Sequence, residues 1–341
     1  MKHVRFHSLA LVAAGSAATA GLLLLASFQG TVTATQLFTL TAEQAEILSH
    51  QSIVYLDDGQ GGTVKTLRIS GINVQVVNGM GSTDTLNGLG NLTVGYNELG
   101  NGNGDDRTGS HNIVGGIRNT HASWGGFVVG DQNTVSGQFA SVSGGLANTA
   151  SGIYSSVSGG RENTASGHTS SVSGGGGYFG GNTASGSGSS VSGGRGNTAS
   201  GTFGSVSGGV NNTASGAGIG YTGGSVSGGA GNTASGISSI SGGFGNMASG
   251  RYSSVSGGRF NTAGGNYSSG ASVSGGRFNT ASGNWASISG GYANTASGLL
   301  SSVSGGQNNT ASGTFSSVGG GNTRTAPDIH DWAAGSLFED N

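Results

Sequence analysis

Cysteine is absent from the 341 residues and proline occurs once. Without Cys there is no disulfide staple, no Cys-ligated zinc and no thiol nucleophile. A single Pro excludes collagen, polyproline rods and Pro/Gly-rich disorder, each of which needs both residues. Charge is scarce too: 8% of residues are charged against about 25% in an average globular chain, which excludes charge-rich disorder. Lys and Arg number 12 against 14 Asp and Glu, a formal net charge of −2, and this balance leaves no electrostatic footprint for nucleic acid. In their place stand 74 Gly, about three times the usual share. A mixture of Gly, Ser, Asn, Thr, Ala and Val either stays flexible or stacks as a repeat, and periodicity decides between the two.

From about Ser141 the sequence repeats the unit SVSGG-xx-NTASG-xx-S. Its Asn falls at Asn148, Asn163, Asn182, Asn197, Asn212, Asn232, Asn246, Asn261, Asn279, Asn294 and Asn309, a base period of 15 with three longer steps of 19, 20 and 18. A short fixed period is the signature of a solenoid. The extra residues of the long steps, 177–180, 218–222 and 268–270, all lie in variable segments. Ser-Val-Ser and Asn-Thr-Ala-Ser read as short strands, with Gly-Gly and Ser-Gly as turns. The expected fold is all-β, a parallel β-roll or β-solenoid with two strands and two turns per coil.

Side chains alternate across a strand, so the apolar member marks the inside. Val142, Val157, Val172, Val191, Val206, Val226, Ile240, Val255, Val273, Ile288, Val303 and Val318 are expected to form one interior column, facing an Ala column that begins Ala150, Ala165, Ala184, Ala199. Gly144 and its equivalents share the inner side, where a thin core asks for close approach. About a dozen coils give a rod roughly 60 Å long. One Val and one Ala per coil contribute about 2–4 kcal/mol against an ordering cost of about 1–2 kcal/mol per residue. A solitary rod is therefore expected to be marginal. Parallel ladders, stacked Asn amides and side-by-side association are the available supplements, and association is favoured.

The unit SVSGG-xx-NTASG-xx-S resembles the head repeats of YadA-like trimeric autotransporter adhesins. Upstream coils match that family more closely, with Leu92-Thr93-Val94-Gly95 and Phe127-Val128-Val129-Gly130 placing two aliphatic or aromatic residues before the Gly. The resemblance covers about residues 90–325. It implies a left-handed parallel β-roll, a homotrimer, and a role in surface attachment. The family's C-terminal membrane barrel and heptad stalk have no counterpart here, so self-export and outer-membrane anchoring do not carry over.

Residues 1–34 read as a secretory signal peptide, with a basic start at Lys2 and Arg5, an apolar stretch from Leu9 to Ala26 and small residues at Val32-Thr33-Ala34. The stretch is a little long, which leaves an uncleaved anchor as the alternative. Either way the mature chain is expected outside the cytoplasm, extracellular or at the cell surface, and with cleavage it carries no membrane-spanning anchor. Residues 35–90 are expected to be a small α+β capping module: a capping box of Thr41 and Gln44 opens a short helix to about His50, and residues 52–56, 63–69 and 73–77 read as strands, the first two joined by a hairpin loop. Residues 91–325 form the solenoid, degenerate over 91–140 and regular over 141–325. Residues 326–341 read as an acidic tail carrying Asp328, Asp331, Glu339 and Asp340.

No constellation points to catalysis, a cofactor or a metal. Residues 101–106 alternate oxygen side chains in a Gly-rich loop, but the bidentate Glu of a calcium loop is missing and a plain polar loop is favoured. His111, His121 and Asp131 follow neither the coil period nor a ligand spacing. The GxGxxG-like run 193–201 does not join an aliphatic strand to a helix. Serines abound, but no Ser, His and carboxylate set stands out. The chain is therefore expected to be non-enzymatic.

Two columns on the variable turns remain. Phe139, Tyr154, Phe203, Tyr252, Trp285 and Phe315 share one turn position and form an aromatic ridge, open to a glycan or protein ligand, or else buried between subunits or covering the core. Arg161, Arg195, Arg259 and Arg277 share the other turn as a sparse basic edge, which could meet anionic polysaccharide or simply keep rods soluble. The leading expectation is an adhesin-like structural protein that contacts an extracellular glycan or matrix protein. Its rivals are an ice-binding protein using the outward Thr149, Thr164, Thr183, Thr198, Thr213 and Thr233, a column that Met247 interrupts, and a matrix or sheath component that assembles end to end.

Overall fold

The structure is a computed structural model that describes residues 40–216, 223–265 and 269–335. The expected signal peptide, the extra residues 218–222 and 268, and the end of the expected acidic tail lie outside the described residues. The chain divides into two compact units, one ending at Gln75 and one beginning at Val76.

In the first unit, helix α1 (Ala42–Ser49) opens with the expected capping box. The Gln44 amide donates to Thr41 Oγ1 and the Thr41 amide donates to Gln44 Oε1. Strands β1 (Gln51–Asp57) and β2 (Thr63–Ile69) pair antiparallel, Gln51 opposite Ile69 and Asp57 opposite Thr63. In the loop between them, Asp58 Oδ1 accepts from the amides of Gln60 and Gly62. The expected third strand at 73–77 does not form, because Gly71 turns the chain through φ +78° just beyond β2. Alternation leaves apolar side chains exposed on both faces of the hairpin, Ile53, Tyr55, Leu67 and Ile69 on one and Leu56 and Val64 on the other.

The second unit is a β-solenoid of about 14 turns spaced about 15 residues apart. Its first strands are β3 (Leu92–Val94), β4 (Ile113–Ile117), β5 (Thr120–His121), β6 (Phe127–Asp131), β7 (Thr134–Val135), β8 (Ser141–Val142) and β9 (Thr149–Ala150). Alternate strands build two parallel sheets: among the described residues, one has 16 strands from β3 to Trp332–Ala333 and the other has 14 from β5 to Thr325–Ala326. At ~4.8 Å per rung the longer sheet runs about 70 Å. Its last pairing, Ser317–Val318 with Trp332–Ala333, carries the coil through the first residues of the expected acidic tail.

The core is the one alternation demands. All twelve expected Val and Ile residues are 0–1% exposed, as are Val114 and Val128 in the degenerate coils, and the facing Ala column is equally closed. Register is residue for residue, Val142 with Val157 and Val172, and Ala150 with Ala165 and Ala184. The role assigned to Gly144 requires correction. A Cβ at Gly144 would meet nothing within 4 Å, so crowding across the core does not select Gly there. Crowding acts along the rod axis: a Cβ at Gly145 would overlap the Gly160 carbonyl oxygen of the next coil, and one at Gly152 would overlap that of Gly167. Gly145 also has φ +87°.

Asparagine supplies what so thin a core lacks. Asn163 is fully buried; its amide N–H donates to Asn148 Oδ1 (3.0 Å), and its Nδ2 donates to Gly159 O (2.9 Å) and to Gly175 O in the next coil (3.0 Å). The same set recurs up to Asn309, whose Oδ1 accepts from the amide of Arg324 (2.9 Å). In most coils the carboxamides bind backbone rather than one another; among the described residues the amide-to-amide contacts expected of a stacked ladder occur at Asn279–Asn261 and Asn294–Asn279, and at Asn112–Asn91 in the degenerate coils. The rung bond from each N–H to the preceding carboxamide oxygen is charge-neutral and buried, so its loss orphans a backbone group at about 1–3 kcal/mol.

The degenerate coils differ on the outside. Where β8 presents Ser141, the paired positions in β3, β4 and β6 hold Leu92, Ile113 and Phe127, all exposed, with exposed Val94 and Ile117 beside them.

Candidate functional site

Both sheet faces of the regular coils are small and hydroxyl-bearing, so any distinctive chemistry sits on the two turn edges. The first edge follows NTASG. Its tight bend ends in a residue in the left-handed region, whose N–H reaches back one coil: the Tyr154 amide donates to Gln138 O and the Thr169 amide to Ile153 O. All six ridge residues, Phe139, Tyr154, Phe203, Tyr252, Trp285 and Phe315, occupy this position with φ between +54° and +61°, and all are exposed. Gly or Asn is the usual occupant of such a conformation, and a bulky side chain there costs about 1–3 kcal/mol.

The ridge is interrupted, because Thr169, Gly188, Gly270 and Leu300 hold the same turn position in intervening coils. It breaks into islands. Trp124, Phe139, Tyr154 and His168 make one continuous run, with Phe139 and Tyr154 stacked at 5.3 Å between edge-on Trp124 and His168. Phe315 stacks on His330 at 5.0 Å. The rings of Phe203 and Trp285 lie over Gly188 and Gly270, where a Cβ would collide with them. Trp124, His168 and His330 are members that the six-residue column did not include.

The second edge follows SVSGG, and each expected Arg lies over an aromatic ring. Arg161 sits 3.8 Å from the Tyr178 ring centre and Arg195 5.9 Å from that of Phe179, both rings coming from the four extra residues 177–180. Arg259 lies over Phe244 and Phe260, and Arg277 over Phe278 and Tyr292, at 4.7–6.0 Å. The four rings touch in sequence along the rod at 5.3–5.9 Å. Arg161 is also paired with Glu162 at 2.9 Å; among the described residues no carboxylate pairs with Arg195, Arg259 or Arg277.

The weaker candidates are accounted for by local bonding. Asp105 accepts from the amides of Gly100 and Asn101, and Asn101 Oδ1 from the amide of Asn103, so the 101–106 loop turns its oxygens onto its own backbone. These bonds hold the Asp105 carboxyl below its usual range. His111 accepts from the Asn78 amide through Nε2, and Asp131 pairs with Arg118. His121 is buried, and burial, reinforced by Arg107, pushes its imidazole below the usual value although Asp106 opposes the shift. Among the described residues there is no group of three or more His, Cys, Asp or Glu placed to hold a metal ion, and no helix is long and apolar enough to cross a membrane.

The fourteen-stranded sheet presents its threonines in register, Thr149, Thr164, Thr183, Thr198, Thr213 and Thr233, then Met247, then Thr262, Thr280, Thr295, Thr310 and Thr325. Compared with known proteins, the chain matches no protein-family profile and no curated sequence.

Proposed function

We propose that this protein is a secreted or cell-surface, adhesin-like rod without enzymatic activity, which binds an extracellular glycan or matrix protein through its turn edges and works as a homotrimer. The observation that carries this reading is the ridge. Large aromatic side chains recur at left-handed positions where Gly costs less, and they stand in solvent beside sheet faces lined mainly by Ser and Thr. Residues retained against local stability at exposed sites are the ones expected to meet a partner. The apolar outer patch of Leu92, Val94, Ile113, Ile117 and Phe127 supports self-association.

An array of glycans and matrix proteins tests the reading. Wild type is expected to bind specific members, and a variant with Tyr154, Phe203 and Trp285 replaced by Gly is expected to lose that binding while keeping its β-sheet circular dichroism. Equal binding by both proteins sinks the ridge. A second reading, ice binding, is favoured by the in-register threonine column, and thermal hysteresis abolished by Thr198→Tyr would replace the adhesin reading with it.

A further inference from the structure

We propose that the edge carrying Arg161, Arg195, Arg259 and Arg277 is a binding track for a linear acidic polysaccharide laid along the rod, with its strongest segment over the four coils from Phe244 to Tyr292. The inference rests on the adhesin reading and names a ligand class for the edge opposite the ridge.

Three observations combine. The first is uncompensated charge: between Gln132 and Thr323 the only charged residues are Arg161, Arg195, Arg251, Arg259, Arg277 and Glu162, and Glu162 is taken by Arg161. The second is preorganisation. Rings at 4.7–5.3 Å hold Arg259 and Arg277 over their faces, which restricts the long side chains before any ligand arrives. A Phe ring, which has no acceptor oxygen, takes none of the N–H donors of the guanidinium over it, so the planar forks of Arg259 and Arg277 stay free for a carboxylate or sulfate. The third is spacing. Arg259 and Arg277 are bridged partners in adjacent coils, Arg161 and Arg195 are two coils apart, and Arg195 and Arg259 four. At ~4.8 Å per rung the intervals are about 5, 10 and 19 Å, whole multiples of one repeat. A linear polymer with regularly spaced acidic groups can meet several of these sites at once, and multivalency then raises the affinity of individually weak contacts.

Nucleic acid fits less well. Single strands bind by stacking bases on free aromatic faces, and here the rings are engaged with one another, Phe260 and Phe278 stacked and the outer pairs edge-on, and with the guanidinium groups. The charge is also sparse for a phosphate backbone. Separated acidic groups on an uncharged sugar chain match it better, and Ser, Asn and Gly flank the track as small polar neighbours.

The test uses the purified chain on biolayer sensors coated with polygalacturonate, dextran sulfate, unmodified dextran or single-stranded oligo-dT. Wild type is expected to bind at least one acidic polysaccharide, to weaken steadily as salt rises, and to ignore dextran. The Arg259→Gln/Arg277→Gln double variant is expected to bind at least tenfold more weakly with unchanged circular dichroism and melting, and the Arg→Lys pair, which keeps charge but loses the fork, to fall between. No binding to either acidic polymer, equal binding to dextran, tighter binding to oligo-dT, or an undiminished double Gln variant overturns the inference. If wild type still recognises array members that lack acidic groups, the adhesin reading survives that failure; if it binds nothing on either platform, both fall.

Discussion

Adjacent glycines in one turn obey different rules. Gly144 has open space where a Cβ would go, whereas Gly145 is left-handed and sits against the Gly160 carbonyl. Gly144→Ala is expected to be neutral or to stabilise by up to about 1 kcal/mol, since Ala only restricts the unfolded chain. Gly145→Ala is expected to destabilise by at least about 2 kcal/mol, from the left-handed backbone and the overlap together. Denaturant melts of the two variants check the pair, and equal effects would return the crowding to the core. His121 gives the residue-scale pH response. Its folded pKa lies below the unfolded value of about 6.5, so above that pH both states are neutral and nothing is gained or lost. As pH falls below it, the unfolded chain takes up a proton that the folded chain refuses, and stability drops. His121→Gln is expected to flatten that part of the melting-temperature profile between pH 7 and 5; an unchanged slope assigns the response elsewhere.

At the scale of the coil, the hydrogen-bond register makes whole units interchangeable. Deleting residues 294–308 joins Ala293 to Asn309, bringing Asn309 against Asn279 and Val303's successor Val318 against Ile288. The shortened rod is expected to fold with its melting temperature lowered by only a few degrees, while deleting 294–301 shifts Val303 out of its sheet and is expected to abolish cooperative melting. Calorimetry separates the two. Period and alternation made the coil legible in sequence: Val142 and Ala150 are inside because their neighbours are hydroxylated and their spacing never varies within a strand. The second edge was only half legible. Arg259 and Arg277 form a column, but their rings are split between the two variable positions, Phe244 and Tyr292 in the first and Phe260 and Phe278 in the second, and Tyr178 and Phe179 fall in an insertion. Column-by-column reading misses contacts that run diagonally between coils. The strand expected at 73–77 failed for another reason: its alternation of Val74 and Val76 is real, but Gly71 turns the chain away just beyond β2, and among the described residues no strand pairs with this segment.

For the whole molecule, stability is a sum of coil and nearest-neighbour terms, and the exposed apolar patch at one end of the rod is the feature that this sum leaves unsatisfied. In a trimer held there, Ile113→Asp with Phe127→Asp is expected to give a monomer by light scattering, with the regular coils still folded. Wild type measuring as a concentration-independent monomer would remove the trimer.

The asparagine ladder also bears on how long an assembly can grow. Each Asn offers a carboxamide oxygen to the N–H of the coil above, and the series stops where Arg324 takes the Asn place and has no such oxygen to offer. That one residue acts as a terminator. A second molecule stacked on that end would find no carboxamide oxygen for its own N–H, so end-to-end growth would forgo at that joint the buried bond that each internal rung makes.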